Sequence, residues 1–311
     1  MCDRWRMKVR IGVGVVSSKD RSLAAGPALA ELVDESERRG IDSLWLSDQA
    51  SSAHHVDPLI GLAYAAGRTE KLKLGTGVLV LPGRNPALVA AQLAGLAATA
   101  PGRILPAFGV QPATVSDRTM YPVPPGQRGA VFEEALSVVR ALLTEPSVTF
   151  EGSFFHLDEA TVGPRPAKPL DLWLGGRLPV SMNRIGRLAD GWLGSFVTPG
   201  EAADCRRQIE AAASEAGREV EPDHYGTNLI VAPHGSDDTA VDTVIAAVAR
   251  RRKDLADPQL LVCRGWDEAR SEVSRFVDAG ITKFVVRPVV PVESIAEFLD
   301  QMVDELLPLQ T

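Results

Sequence analysis

The residues best suited to chemistry stand where apolar runs give way to polar ones. Asp48-Gln49 follows the short run Ser43–Leu46, and His54-His55 come a few residues later in a polar loop. Asp48 is a strand-end acid that either bonds a ligand or caps its own loop. A histidine titrates near pH ~6.5, so His54 and His55 are either a plain loop pair or suited to proton transfer. Adjacent histidines rarely ligate one ion, and no H-E-x-x-H or second cluster accompanies them, so no metal centre is expected. Gly175-Gly176-Arg177-Leu178-Pro179 puts two glycines and an arginine beside a helix start. That is an anion cradle of backbone N–H groups, or a tight turn with a surface arginine. Arg287 ends the apolar run Phe284-Val285-Val286, as an anion clamp or as half of a structural ion pair. Gly75 and Gly77 interrupt the apolar stretch from Leu72 to Leu81, and glycine inside a strand marks a bulge or a close approach. Neither a G-x-S-x-G elbow nor a P-loop is present, which argues against a serine hydrolase and a P-loop nucleotidase.

The elements that must position these residues alternate. Strands are expected at Lys8–Val16, Ser43–Leu46, the stretch from Leu72, Arg103–Phe108, Asp171–Leu174, Trp192–Ser195, Thr227–Val231 and Lys283–Val286. Helices are expected at Ala24–Arg39, Pro58–Arg68, Pro86–Ala98, Val131–Leu143, Pro179–Leu188, Glu201–Ala216, Thr239–Arg252, Asp267–Asp278 and Ser294–Leu306. Asp57-Pro58 and Asn85-Pro86 pair an N-cap with a proline at the first helical position. Ser147–Leu157 reads as a hairpin around Gly152, and the Pro/Gly-rich loop from Gly109 to Gly126 is too long for a simple connection. Roughly eight repeated βα units in one domain, residues 1–311, predict a (β/α)8 TIM barrel with insertions after strands 4 and 7. The competing doubly wound sheet would need G-x-G-x-x-G after the first strand, and Gly12-Val13-Gly14-Val15-Val16-Ser17 lacks the third glycine. In a barrel the loops after the strands form the active face.

Composition narrows the partners. A net charge of −7 argues against nucleic acid and anionic membranes. No apolar run approaches the ~20 residues of a membrane helix. The start, MCDRWRMKVR, has no apolar segment behind it, so no signal peptide is read. Cys2, Cys205 and Cys263 are odd in number and far apart, fitting reduced thiols in a cytoplasmic protein.

Several segments together resemble a known family: DSLWLSD (Asp42–Asp48), LGTGVLVLPGRNP (Leu74–Pro86), FEEALSVVRALL (Phe132–Leu143), VTFEGSFFHL (Val148–Leu157), LWLGGRLPVSMNRIGRLADGWLGS (Leu172–Ser195) and FVDAGITKFVVRP (Phe276–Pro288). In this order, over nearly the whole chain, they resemble the bacterial-luciferase-like flavin monooxygenase superfamily, and within it the oxidoreductases that use the deazaflavin coenzyme F420. The resemblance implies a barrel with the cofactor at the carboxyl ends of the strands, and a non-prolyl cis peptide at Gly77–Val78 backing the ring. It places Gly175, Gly176 and Arg177 on the cofactor's phosphate side, with Gly109 and Ser195 also toward the cofactor. Gln49, Gln111 and Arg287 are then candidates for substrate contact, and Asp48, His54 and His55 for catalysis. It further implies a small-molecule substrate and a homodimer.

Two departures stand out. Deazaflavin relatives often carry Asp-His after the second strand, with the histidine as acid or base; here the pair is Asp48-Gln49, and a carboxamide cannot exchange a proton near neutral pH. Many relatives have a Gly-rich turn with an acid after the fourth strand; here it is Phe108-Gly109-Val110-Gln111-Pro112. The leading expectation is hydride transfer with F420, His54 or His55 replacing the missing histidine. The alternatives are an FMN-dependent monooxygenase of the same fold and a non-catalytic ligand-binding barrel.

Overall fold

Apolar runs separated by capped helices build a parallel sheet that closes on itself. The computed structural model describes residues 8–15, 26–112 and 116–311. Its strands are β1 (Arg10–Val13), β2 (Ser43–Leu46), β3 (Lys73–Thr76), β4 (Leu79–Val80), β5 (Ile104–Leu105), β6 (Ala107–Gly109), β7 (Val148–Glu151), β8 (His156–Ala160), β9 (Trp173–Gly175), β10 (Gly191–Gly194), β11 (Tyr225–Val231) and β12 (Lys283–Pro288). The helices are α1 (Gly26–Arg38), α2 (Pro58–Ala66), α3 (Pro86–Thr99), α4 (Arg128–Thr144), α5 (Pro179–Leu188), α6 (Pro199–Glu215), α7 (Asp238–Arg251), α8 (Trp266–Asp278) and α9 (Ile295–Leu306). Cys2, the initial MCDRWRM, Val16, Ala24 and positions 113–115 of the long loop lie outside the described residues.

Ten parallel segments run in the order β4-β6-β9-β10-β11-β12-β1-β2-β3-β5. Two barrel strands are each split in two, so the ring has eight. The third breaks at the cis peptide Gly77–Val78, and the fourth at Pro106, which has no N–H to give the ladder. The halves pair separately, Leu74 with Ile104 and Leu79 with Phe108, and β6 then meets β9, closing the (β/α)8 barrel. The interruption expected from Gly75 and Gly77, with the cis peptide at Gly77–Val78, is present: the chain turns at Gly77 and resumes in a different register.

Local chemistry fixes the helix starts. Asp57 accepts hydrogen bonds from the backbone of Leu59 and Ile60, and Asn85 from Ala87 and Leu88. Thr198 and Glu201 cap α6 reciprocally. The expected hairpin exists as β7 and β8 outside the barrel, its turn held by the Glu134 carboxylate, which accepts from the N–H groups of Ser153, Phe154 and Phe155. The insertion after the seventh barrel strand is α7. Its Val241, Ile245 and Val248 pack in a small cluster with Ala232, Leu261 and Val262, apart from the main core that takes α8.

Two tryptophans fill the barrel interior. Trp45 and Trp173 have ring centroids 6.4 Å apart and pack with Ala107, Leu193 and Val285. Neighbouring strands make room with glycine: a Cβ on Gly75 would lie 2.5 Å from the Trp45 ring, and one on Gly191 2.4 Å from the Trp173 ring. Cys205 and Cys263 are buried free thiols.

Asp48 holds the broken third strand. Its N–H donates to the carbonyl of Val78 at 3.2 Å. Its Oδ2 accepts from the Val80 N–H at 3.0 Å and from Arg84 Nη2 at 2.9 Å, and its Oδ1 accepts from the Tyr121 hydroxyl at 2.6 Å. Burial and the Asp48 hydrogen bond push the Tyr121 phenol well above its ordinary pKa, so it remains a donor. Asp48, expected as a catalytic candidate, has its carboxylate buried and shared by three donors. Asp48→Ala would leave the Val80 N–H and the Tyr121 hydroxyl without their acceptor and Arg84 with only Asp57 and the Val80 carbonyl. A loss of about 3 kcal/mol of stability is expected in urea unfolding. Unchanged unfolding with abolished turnover would return Asp48 to the chemistry.

Candidate active site

Past the tryptophan layer, at the carboxyl ends of the strands, the sequence candidates separate into those that meet and those that do not. Gly77, Val78, Gly109 and Gly175 meet. Val78 is half-buried, and its side chain occupies space that only glycine leaves free. A Cβ on Gly109 would stand 2.6 Å from Val78 Cγ2, and one on Gly175 3.0 Å from Val78 Cγ1. One apolar side chain among bare backbone forms this floor.

Arg287 lies beside it. Its Nε donates to Asn228 Oδ1 at 2.8 Å, Nη1 to Ser47 Oγ at 3.1 Å, and Nη2 to the Gly77 carbonyl at 3.4 Å. Gly14 opens the space the side chain crosses, since a Cβ there would lie 2.6 Å from Arg287 Cγ. All three partners are neutral, and no carboxylate among the described residues pairs with this guanidinium. Burial alone lowers its pKa to about 10. Of the two readings of Arg287, the structural ion pair is thus excluded among the described residues. A cation held this way favours any anion that reaches it.

The two histidines differ. His55 is half-buried, its Nδ1 2.9 Å from Ser52 Oγ. Burial, then the nearby charges of Arg287 and His54, lower its pKa from the ordinary 6.5. His54 is exposed, and its backbone N–H donates to Ser52 Oγ. Gln49 is half-buried next to Asp48, Ser195 is half-buried just past β10, and Gln111 is exposed.

The turn after β9 answers its two readings in part. The α5 N-terminus has no side-chain cap; Pro179 has no N–H, and Ser181 and Met182 donate to the Leu178 carbonyl, which leaves the Val180 N–H to an anion. Arg177 is not free to join them: its Nη1 pairs with Asp254 Oδ2 at 3.2 Å, across to the segment after α7. A place on the cofactor's phosphate would require that pair to open. Gly176 has φ +140°, and a Cβ there would meet Ser181 at 2.6 Å, so this glycine serves the turn itself.

Sequence reasoning missed Asn228 and Ser47, which orient Arg287, and Arg84 and Tyr121, which hold Asp48. A polar Asn in the otherwise apolar run Leu229-Ile230-Val231 was the available signal. Nothing local marked the others. Among the described residues no group of His, Cys, Asp and Glu side chains could hold a metal ion, and no helix is long and apolar enough to cross a membrane.

Comparison with known proteins fits this geometry. The profile of the luciferase-like monooxygenase family matches residues 9–304. The F420-dependent glucose-6-phosphate dehydrogenase of Kineococcus radiotolerans is 27% identical over 90% of this chain and 92% of its own length. The enzyme of that name from Intrasporangium calvum is 29% identical over 89% and 94%. Among solved structures, an F420-dependent secondary alcohol dehydrogenase in complex with an F420–acetone adduct superposes with a TM-score of 0.83 at 22% identity, over 98% of this chain and all of its own, a likeness of fold. With a family profile spanning nearly the whole chain and a barrel split at the same expected bulge, this protein belongs to the luciferase-like monooxygenase family.

Proposed function

We propose that the protein is an oxidoreductase that transfers a hydride between coenzyme F420 and a small organic substrate at the barrel mouth. The observation that carries the reading is Arg287, a half-buried cation with only neutral partners among the described residues, set against the Gly77 carbonyl. Relatives named for F420 that align over about nine-tenths of both chains support the choice of cofactor. The residues present fit it: Val78 flanked by Gly109 and Gly175 offers a flat apolar seat without competing side chains, and the uncapped α5 N-terminus suits a phosphate. When bound, the deazaflavin supplies a hydride donor or acceptor. Arg287 places positive charge where negative charge gathers during the reaction. In a fluorescence titration the deazaflavin is expected to bind; tight binding of FMN with none of the deazaflavin would favour the FMN-dependent monooxygenase instead.

His55, rather than His54, is proposed to exchange the substrate proton, since Gln49 cannot. Its lowered pKa keeps it neutral at pH 7, the form that accepts a proton from an alcohol. Oxidation of an alcohol substrate is therefore expected to be flat above pH ~6.5 and to fall on the acid side as the ring protonates. His55→Ala should cut kcat by about 10²–10⁴-fold and erase that acid limb, with His54→Ala close to the parent. Equal turnover in His55→Ala would assign the proton to water.

A homodimer is proposed through α2 and α3. Neither helix carries a charged residue, whereas the outer face of a surface helix is usually charged. Ile60, Tyr64 and Leu88 stand exposed on them. Light scattering is expected to give twice the chain mass, and Ile60→Asp with Leu88→Asp to give the monomer; a monomeric parent protein would refute this.

A further inference from the structure

The barrel mouth has a second side, away from Val78. A cavity of about 440 Å³ opens between α7 and the ends of β11 and β12. Its apolar walls include Phe196, Ile230, Val244, Ala247, Val248 and Val289, and two guanidinium groups, those of Arg251 and Arg287, also line it. The Arg251 guanidinium lies 5.3 Å from the centroid of the Phe196 ring. No carboxylate, amide or hydroxyl side chain lines this space among the described residues.

The wall is built deliberately. Phe196 has φ +55°, a conformation uncommon for a bulky side chain. Its carbonyl accepts from Nη1 of Arg252, which is almost fully buried. Arg252 in turn binds Glu201 at 2.5 Å and Asp254 at 3.1 Å. One buried cation thus ties the end of α7, the start of α6 and the Phe196 backbone together, and so fixes the wall.

We infer that this cavity takes an apolar molecule carrying a single anionic group, its body against α7 and Phe196 and its charge toward Arg287. The inference rests on reading the barrel mouth as the active site and names the substrate class that site accepts. Charge complementarity gives the anion, since no carboxylate among the described residues pairs with Arg287. The walls give the body: the hydroxyls of a sugar would lose their water here without gaining partners. A sugar phosphate, the substrate class in the relatives' names, does not suit these walls.

Calorimetry on the whole protein tests this with decanoate, decanol and glucose 6-phosphate as probes, without cofactor and with the deazaflavin. Decanoate is expected to bind, decanol about tenfold more weakly or worse, and glucose 6-phosphate not at all. Ala247→Asp, at an exposed position on α7, should weaken decanoate at least about tenfold at unchanged melting temperature. Arg287→Met should bring decanoate down to the level of decanol. Glucose 6-phosphate binding in place of decanoate, or an Ala247→Asp protein that binds decanoate as before, overturns the inference. So does displacement of decanoate by the deazaflavin, which would make the cavity part of the cofactor's seat. Deazaflavin binding without decanoate binding sinks this inference alone; decanoate binding without deazaflavin binding sinks the functional reading alone.

Discussion

The Asp48 carboxylate is the contact on which the barrel mouth depends. A third strand that breaks at Gly77 loses ladder hydrogen bonds just where the sheet must close. Asp48 offers replacements: one oxygen takes the Val80 N–H and Arg84, the other the Tyr121 hydroxyl. The strand's second half is thereby pinned to the loop after the second strand and to the long loop after the fourth. Ser47, the next residue back, donates to the Gly77 carbonyl and accepts from Arg287. The split strand, the floor at Val78 and the half-buried Arg287 cation are therefore parts of one hydrogen-bonded unit.

Much of the fold was legible because its signals are local. Asp57-Pro58 and Asn85-Pro86 cap helices through neighbours two and three residues away, and Ser43–Leu46 and Pro179–Leu188 occur with the expected bounds. The hairpin around Gly152 and the insertion after the seventh strand were legible for the same reason. The interruption at Gly77 was marked by the glycines in the apolar stretch, and its cis peptide came from family resemblance. What could not be read depends on partners far along the chain. Asp48 looked like a catalytic acid because Arg84 and Tyr121 lie 36 and 73 residues on. Arg177 looked like a phosphate ligand because Asp254 is 77 residues away. His54 and His55 are indistinguishable in sequence, and only packing near Arg287 separates them.

The mouth divides into two halves around Arg287. On one side the walls are backbone, because Gly109 and Gly175 give Val78 its space. On the other they are aliphatic and aromatic side chains from α7, β11 and the loop after β10. A guanidinium between them, half-buried and unpaired with any described acid, serves both. Beneath it Trp45 and Trp173 close the barrel, so the mouth is a shallow bowl on a packed core.

The wall formed by α7 is also a statement about how such a barrel diversifies. The helix sits outside the repeated strand–helix pattern, packs on its own small cluster and is fastened to the ring's upper edge through Arg252. The eight strands close without it. Substitutions along its inner face can therefore accumulate without threatening the ring or the hydride-handling side of the bowl. Selection for a new substrate has a separate module to work on, and a designer exchanging α7 between relatives would keep Arg252, Glu201 and Asp254 as the joint.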